Sequence, residues 1–459
     1  MKAMAMDSSN NLYVGGHTEG IFDGGSNAGN YDVWFAKYDS SGARLWIEQF
    51  GSSGEDILKT MAVDLSSNLY IGGNTVGVLD GGSNAGDNDA WFAQYNSSGT
   101  RLWIVQFGTV NNDHLKGMAV DLSNNVYIGG QTYGTLTGSN AGSCDIWFAK
   151  YNSSGTQLWI EQFGSSSADV FEAMAVDSSN NLYCCGYTAG ALDGGSNAGY
   201  RDIWFAKYDS SGARQWIVQF GGIKNDYCYA MDVDSNDNVY IGGFTHSDLT
   251  TLTDASDEKN WFAKYDSSGM RQWIVQFGVL TENEELHAMA IDSNDNIYIG
   301  GETDGALDGG SNAGGEDAWF GKFSPTDGTQ LWIEQTGTSL DEELNAMVVD
   351  SNNNLYIGGS TQGALDGGSN AGSKDAWFGK FSESTPAPTV MPTTPGPSKQ
   401  EDLKHFFHSA INISTTSSIA HVFTRLPTSS LAQNHFCFNH RPDERSRIGA
   451  EPTAVGSAD

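Results

Sequence analysis

A Trp-Phe pair returns at Trp34, Trp91, Trp147, Trp204, Trp261, Trp319 and Trp377, each 56 to 58 residues after the last. A second tryptophan follows twelve or thirteen residues later, at Trp46, Trp103, Trp159, Trp216, Trp273 and Trp332, and the two series account for all 13 tryptophans. A Tyr-Ile-Gly-Gly-type element beginning at Tyr13, Tyr70, Tyr127, Tyr183, Tyr240, Tyr298 and Tyr356 keeps the same beat. So does a Met-x-x-Asp element ending at Asp7, Asp64, Asp121, Asp177, Asp234, Asp292 and Asp350. Seven copies of one unit override any domain count from length, because each unit must stack on its neighbours to bury its apolar face.

The second unit shows what the block contains. Its apolar runs are LKTMAVD (58–64), NLYIGG (68–73), WFAQY (91–95) and LWIVQFG (102–108). Alternation, β-branched and aromatic content, and Gly/Asn/Ser/Asp punctuation make all four strands. LSSN and NSSGTR are tight hairpin turns, whereas Asn74 to Ala90 is a long loop. The unit is therefore strand A, turn, strand B, long loop, strand C, turn, strand D. The expected fold is all-β, a seven-bladed propeller of four-stranded blades; a solenoid stack is the runner-up. The seventh unit ends after strand C, so its blade is expected to lack the fourth strand.

The stretch GMAVDLSNNVYIGGQT…GSNAGSCDIWFAKYNSSGTQLWIEQFG (117–164) resembles the SBBP-type β-propeller repeat of bacterial and some algal surface proteins. Its A–B portion is also similar to NHL repeats. The resemblance runs over about residues 1–383. It implies a propeller in a secreted or cell-surface, S-layer-like setting, and it brings no catalytic residues.

Composition changes near residue 385. Residues 1–385 hold 17 basic and 50 acidic side chains, the whole net charge of -33, while 386–459 hold six of each. The expected domains are a propeller over 1–383, a Pro/Thr-rich linker over 384–398 (STPAPTVMPTTPGP marks the joint) and a disordered tail over 399–459. Three ways of ending the ring stay open: a chain shortened upstream, closure on a three-stranded blade, or a tail segment such as SIAHVFTRL (418–426) filling in. MKAMAMDSSN has no apolar signal-peptide core. Strong acidity argues against nucleic acid and anionic membranes, and no run of 18 apolar residues suggests a transmembrane span.

Strand parity gathers the B–C and D–A loops on one face. An acid stands two before the Trp-Phe pair at Asp32, Asp89, Asp145, Asp202, Asp317 and Asp375, and eight before the strand-A aspartate at Asp56, Asp113, Asp169, Asp226, Glu284 and Glu342. The loops add Asp23, Asp80, Asp193, Asp308 and Asp366. Carboxylates beside Asn and Gly suit a hard cation, so these acids are candidate Ca2+ ligands; the competing reading is that they cap turns. DSNDN at 234–238 and 292–296 starts like an EF-hand loop, but a tight hairpin explains it better. Unit five breaks the pattern with FTHSDLTTLTDASDEKNWF, placing Lys259 where the others have an acid. Both tryptophan series read as core.

The five cysteines fall at no repeated position and show no disulfide or zinc spacing. His17, His114, His246 and His287 sit at positions that look unrelated. Asn96, Asn152 and Asn412 begin glycosylation sequons. The function expected is a non-enzymatic extracellular or cell-surface scaffold, binding a protein or glycan partner through the acidic long-loop face. A lectin-like propeller, with Tyr133, Tyr187 and Tyr200 as stacking residues, and a propeller hydrolase or lyase are the alternatives.

Overall fold

The computed structural model describes residues 1–382 except 23–24, 252, 279–282, 308–309, 366–369 and 371, together with the side chains of 253–257. The linker, the tail with SIAHVFTRL, Asn412 and Cys437, and the loop acids Asp23, Asp308 and Asp366 lie outside the described residues. Every regular element within them is a strand, and the strands form seven antiparallel sheets. Blade two runs Asp56–Val63, Leu69–Thr75, Asp89–Tyr95 and Arg101–Phe107, paired in sequence order. Blade seven has three strands, Glu342–Val349, Leu355–Thr361 and Asp375–Phe381. The chain is thus a seven-bladed β-propeller whose last blade has three strands among the described residues.

The turns explain the repeated polar residues. In the A–B turn of blade two, Asp64 Oδ1 accepts hydrogen bonds from the Ser66 and Asn68 amides. The third turn residue is left-handed in all seven copies, as at Asn124 (φ 61), Asp237 (φ 61) and Asp295 (φ 62). Asn and Asp tolerate that region best among side-chain-bearing residues. The DSNDN segments are these hairpins. In the C–D turn, Gly99 is needed twice over: its φ is +86, and a Cβ there would meet the Trp46 ring of the preceding blade. Trp46 also donates its indole N–H to Ser97 O, Trp103 to Ser153 O, Trp159 to Ser210 O and Trp216 to Ser267 O, so the D strands of blades one to four are tied to the next blade's turn.

Strand A of each blade packs against strand A of the next, which places the A strands around the central axis and the D strands outside. The strand-C tryptophans are fully buried between blades; those of strand D are half-buried on the rim. Phe35 against Trp46 and Tyr95, and Phe50 against Trp91, show the edge-to-face packing that recurs from junction to junction, adding about 0.5–1.5 kcal/mol per pair beyond burial. Blades seven and one meet by the same means: Tyr38 stacks edge-on to Phe378 at 4.9 Å, Lys2 pairs with Glu343 at 3.3 Å, and Asn10 Oδ1 accepts from the Ser351 hydroxyl. In unit five the usual loop is replaced by a longer hairpin, Val239–Asp248 with Thr253–Tyr265.

Candidate functional site

The acids expected to ring the long-loop face are buried rather than displayed. Asp32, Asp89, Asp145, Asp202 and Asp317, at the start of strand C, are each 0% exposed, as are Asp56, Asp113, Asp169, Asp226, Glu284 and Glu342 at the start of strand A; Asp375 is 7% exposed. The strand-C aspartates close the long loop. Asp89 Oδ2 accepts from the Ala85 amide and from Gln106 Nε2, each at 3.0 Å, and the same set recurs at Asp32, Asp145, Asp202 and Asp317. The strand-A acids cap the D–A loop. Asp56 binds the Ser52 amide and Thr75 Oγ1, Asp113 binds Thr109 and Thr132, and Asp169 binds Ser165 and Thr188. Glu342 does the same with Thr338 and Thr361.

The two series converge pairwise between neighbouring blades. Around Gly164 a Cβ would lie 2.5 Å from Asp145 Oδ1 and 2.8 Å from Asp169 Oδ2; around Gly221 the figures are 2.7 Å for Asp202 and 2.8 Å for Asp226. Gly51 and Gly108 face Asp32 with Asp56 and Asp89 with Asp113 in the same way. At these four junctions the glycine ending the Gln-Phe-Gly run is therefore dictated by two carboxylates, not by its backbone angle, whereas Gly278 meets Glu284 alone and has φ +146. In all five strand-C aspartates Oδ1 is buried with no hydrogen-bond partner. Burial raises Asp113, Asp169 and Asp202 above the ordinary carboxylate range and pushes Asp226 up to about 6. At the junction of blades five and six, Lys259 holds the register position of the first aspartate, opposite Thr245, so that junction keeps Glu284 without a second acid. Among the loop acids, Asp80 pairs with Arg101 and Asp193 with Arg214.

The axis tells a different story. Strand A carries a β-bulge that turns one residue inward, after Leu58, Leu115, Phe171, Leu286 and Leu344. The residues at that position, five before the strand-A aspartate, are Lys2, Lys59, Lys116, Glu172, Tyr229, His287 and Asn345. The end of strand B adds His17, Asn74, Gln131, Tyr187, Phe244, Glu302 and Ser360. In a ring that otherwise repeats itself, the strand-B position differs in every blade and the strand-A position changes after three lysines, and both stand at the long-loop end of the axis. Most of them are buried, so the axis is plugged at this level rather than open.

The plug has three sectors. Blades one to three supply Lys2, Lys59 and Lys116 with His17 and His114. Lys116 pairs with Glu172 at 3.3 Å, and Lys2 with Glu343. Burial, reinforced by Lys116 and Lys2, lowers Lys59 to about 7, and burial beside the lysines lowers His114 to about 4. Water still reaches part of Lys59, but protein surrounds it. Blades four and five supply aromatics: Tyr187, Tyr227, Tyr229 and Phe244 form a separate cluster, and Arg201 lies 5.3 Å over Tyr187 while donating to Tyr227 Oη at 2.7 Å. Tyr200, 74% exposed, stands beside them, and with Arg201, Asn225 and Tyr227 it lines a shallow depression. Blade six supplies Glu285, His287 and Glu302. Burial alone would lower His287, but the two adjacent glutamate carboxylates raise it to about 10.

Sequence reasoning set aside three of the histidines that meet here, because His17, His114 and His287 occupy different offsets within their units. For His17 and His287 the available signal was the disagreement among units at two fixed offsets, which marks positions the blade does not need for itself. His246 lies on the unit-five hairpin beside Glu258 at 3.3 Å. Cys144, Cys184, Cys185 and Cys228 are buried free thiols. Of the proposed stacking residues, Tyr187 is buried, whereas Tyr133 and Tyr200 are exposed.

Among relatives, the regulatory protein FlaEY of Caulobacter vibrioides is 28% identical over 178 residues, 34% of this chain and 18% of that protein. An uncharacterized WD repeat-containing protein, L264, of Acanthamoeba polyphaga mimivirus is 22% identical over 357 residues, 58% of this chain and 26% of that protein. The chain thus spans 18% and 26% of the two curated relatives' lengths. Similar solved structures include Sqt1 from Chaetomium thermophilum, at TM-score 0.45 and 10% identity over 85% of this chain and 83% of that one. The Neurospora crassa Pan2 WD40 domain gives 0.44 and 9% over 78% and 85%. A profile of the SBBP β-propeller repeat matches residues 102–136, 158–192, 215–250 and 272–307. Four stretches of this ring thus match the SBBP β-propeller repeat.

Proposed function

We propose that the chain is a non-enzymatic interaction scaffold that receives a protein or glycan partner on its long-loop face, at the mouth of the axis. One observation carries this reading: the residues that vary from blade to blade in an otherwise self-repeating ring gather there, with exposed Tyr200 and half-buried Arg201 at the edge. Aromatic side chains and arginine are the residue types that dominate interface energetics. The regulatory and WD-repeat descriptions of the relatives support a scaffold rather than an enzyme. The contact surface differs from the one expected from sequence, since the twelve acids are buried and contribute no exposed acidic ring. A cell-surface setting belongs to the same proposal and rests on the SBBP resemblance. A photo-crosslinker placed at Tyr200 is expected to capture one saturable species, and one at exposed Met270 on the opposite turns is not. Equal capture at both positions would remove the long-loop face from the proposal.

A second reading concerns the paired junction acids, whose orphaned Oδ1 atoms call for a positive counter-charge. Calcium would meet it through carboxylate oxygens; a shared proton is the competitor. Millimolar Ca2+ should raise the unfolding midpoint by mass action, more than Mg2+ or ionic strength, and Asp89→Asn with Asp317→Asn should blunt the rise. No shift would leave the pairs to protons.

A further inference from the structure

We infer that Glu285, His287 and Glu302 of blade six form a binding site for one first-row divalent ion, of the Zn2+ or Mn2+ class. Glu285 and Glu302 are direct cross-strand partners, and His287 is the bulged residue two positions after Glu285. Like charges placed directly opposite in a ladder destabilise it. The equivalent positions pair Ile57 with Asn74 in blade two, Val170 with Tyr187 in blade four, and Glu343 with Ser360 in blade seven. Only blade six, among these, sets two carboxylates face to face, and it inserts an imidazole between them.

The spacing is that of a coordination shell. His287 Nε2 lies 3.2 Å from Glu285 Oε2 and 3.7 Å from Glu302 Oε1, and one donor atom from each residue lies within 4.8 Å of the other two. A tetrahedral ion with bonds of about 2.0–2.2 Å holds its ligands about 3.4 Å apart. The two separations from His287 already stand near that value, and the two carboxylates lie within 4.8 Å of each other, so an ion enters with modest side-chain shifts. Two carboxylates and one dication cancel, which a single imidazolium does not achieve. A mixed nitrogen and oxygen set favours a borderline first-row ion over calcium, which takes six to eight oxygens. The His287 and Glu285 side chains are nearly sealed, at 6% and 5% exposure, while Glu302 keeps 13%. Entry is therefore past Glu302. The site stands independently of any partner at the mouth and of the junction acids.

The test is cobalt titration of the full chain after stripping with chelator, read by visible absorption and by competition with Zn2+. One equivalent of Co2+ should give saturable d–d bands. His287→Ala should abolish them, Glu302→Gln should weaken binding by roughly tenfold or more, and Asp89→Asn should leave it intact. Glu302→Gln keeps shape and partial exposure, so it carries the test if His287→Ala fails to fold. Three results would overturn the inference: no saturable bands, bands unchanged in both blade-six variants, or sulfur-to-cobalt charge transfer in the near ultraviolet. The last would place the ion on one of the buried cysteines.

Discussion

The blade junctions and the axis mouth are made from the ends of the same strands, a few residues apart, yet one is a repeated pattern and the other is not. At the junctions, the strand-C aspartate, the strand-A acid and the glycine between them recur because each copy must solve one problem: closing two loops over a buried seam. At the mouth, bulged residues change from lysine to glutamate, tyrosine, histidine and asparagine around the ring. What differs is the constraint. A junction residue answers to its neighbouring blade, whereas a mouth residue faces the axis and answers only to what occupies it.

That contrast breaks first if wall and mouth respond alike to substitution. Trp147→Ala, which empties a fully buried wedge between blades, is expected to cost about 3–5 kcal/mol, measured by urea unfolding. A pH series sharpens the same side. Asp226 has its folded pKa near 6 against an ordinary value of 3.8, so its protonated form favours the native state. That contribution is full below pH 3.8 and is lost as the pH rises through 6, a span of at most about 3 kcal/mol. Asp226→Asn should flatten this part of the stability–pH curve. A curve of unchanged slope would mean that burial does not hold this acid up in the folded ring.

The mouth should behave in the opposite sense. Lys59 is held near 7 by burial and by two neighbouring lysines, so its charged form opposes folding below that value. Lys59→Met is expected to raise stability at pH 6 by about 1–3 kcal/mol, a gain that shrinks as the pH climbs past 7. A loss would show that Lys59 is holding the axis together. Gly164→Ala, on the wall, should instead cost about 1–3 kcal/mol, since the methyl runs into Asp145 and Asp169.

The architecture was legible because spacing alone carried it: the Trp-Phe beat, the two short turns and the missing fourth strand of unit seven needed no contacts to be read. The acids were legible as a pattern but not as a place. Offsets in the sequence say which face a loop is on, and only packing shows that Asp89 and Asp113 close on one glycine beneath it. The mouth was missed for a sharper reason. A search for repeated chemistry discards what does not repeat, and Lys59, Glu172 and His287 share an offset but no chemistry. The β-bulge that points them at the axis leaves no mark in the residues themselves.

The most direct test replaces Tyr200 and Arg201 with Ser and Asn, residues of the kind that blades three and two carry at Ser143 and Asn88. Thermal midpoint and capture of the species cross-linked at the mouth are then measured on the same preparation. The account predicts an unchanged midpoint with capture lost. Capture retained at an unchanged midpoint would contradict it, as would capture lost only in step with a falling midpoint.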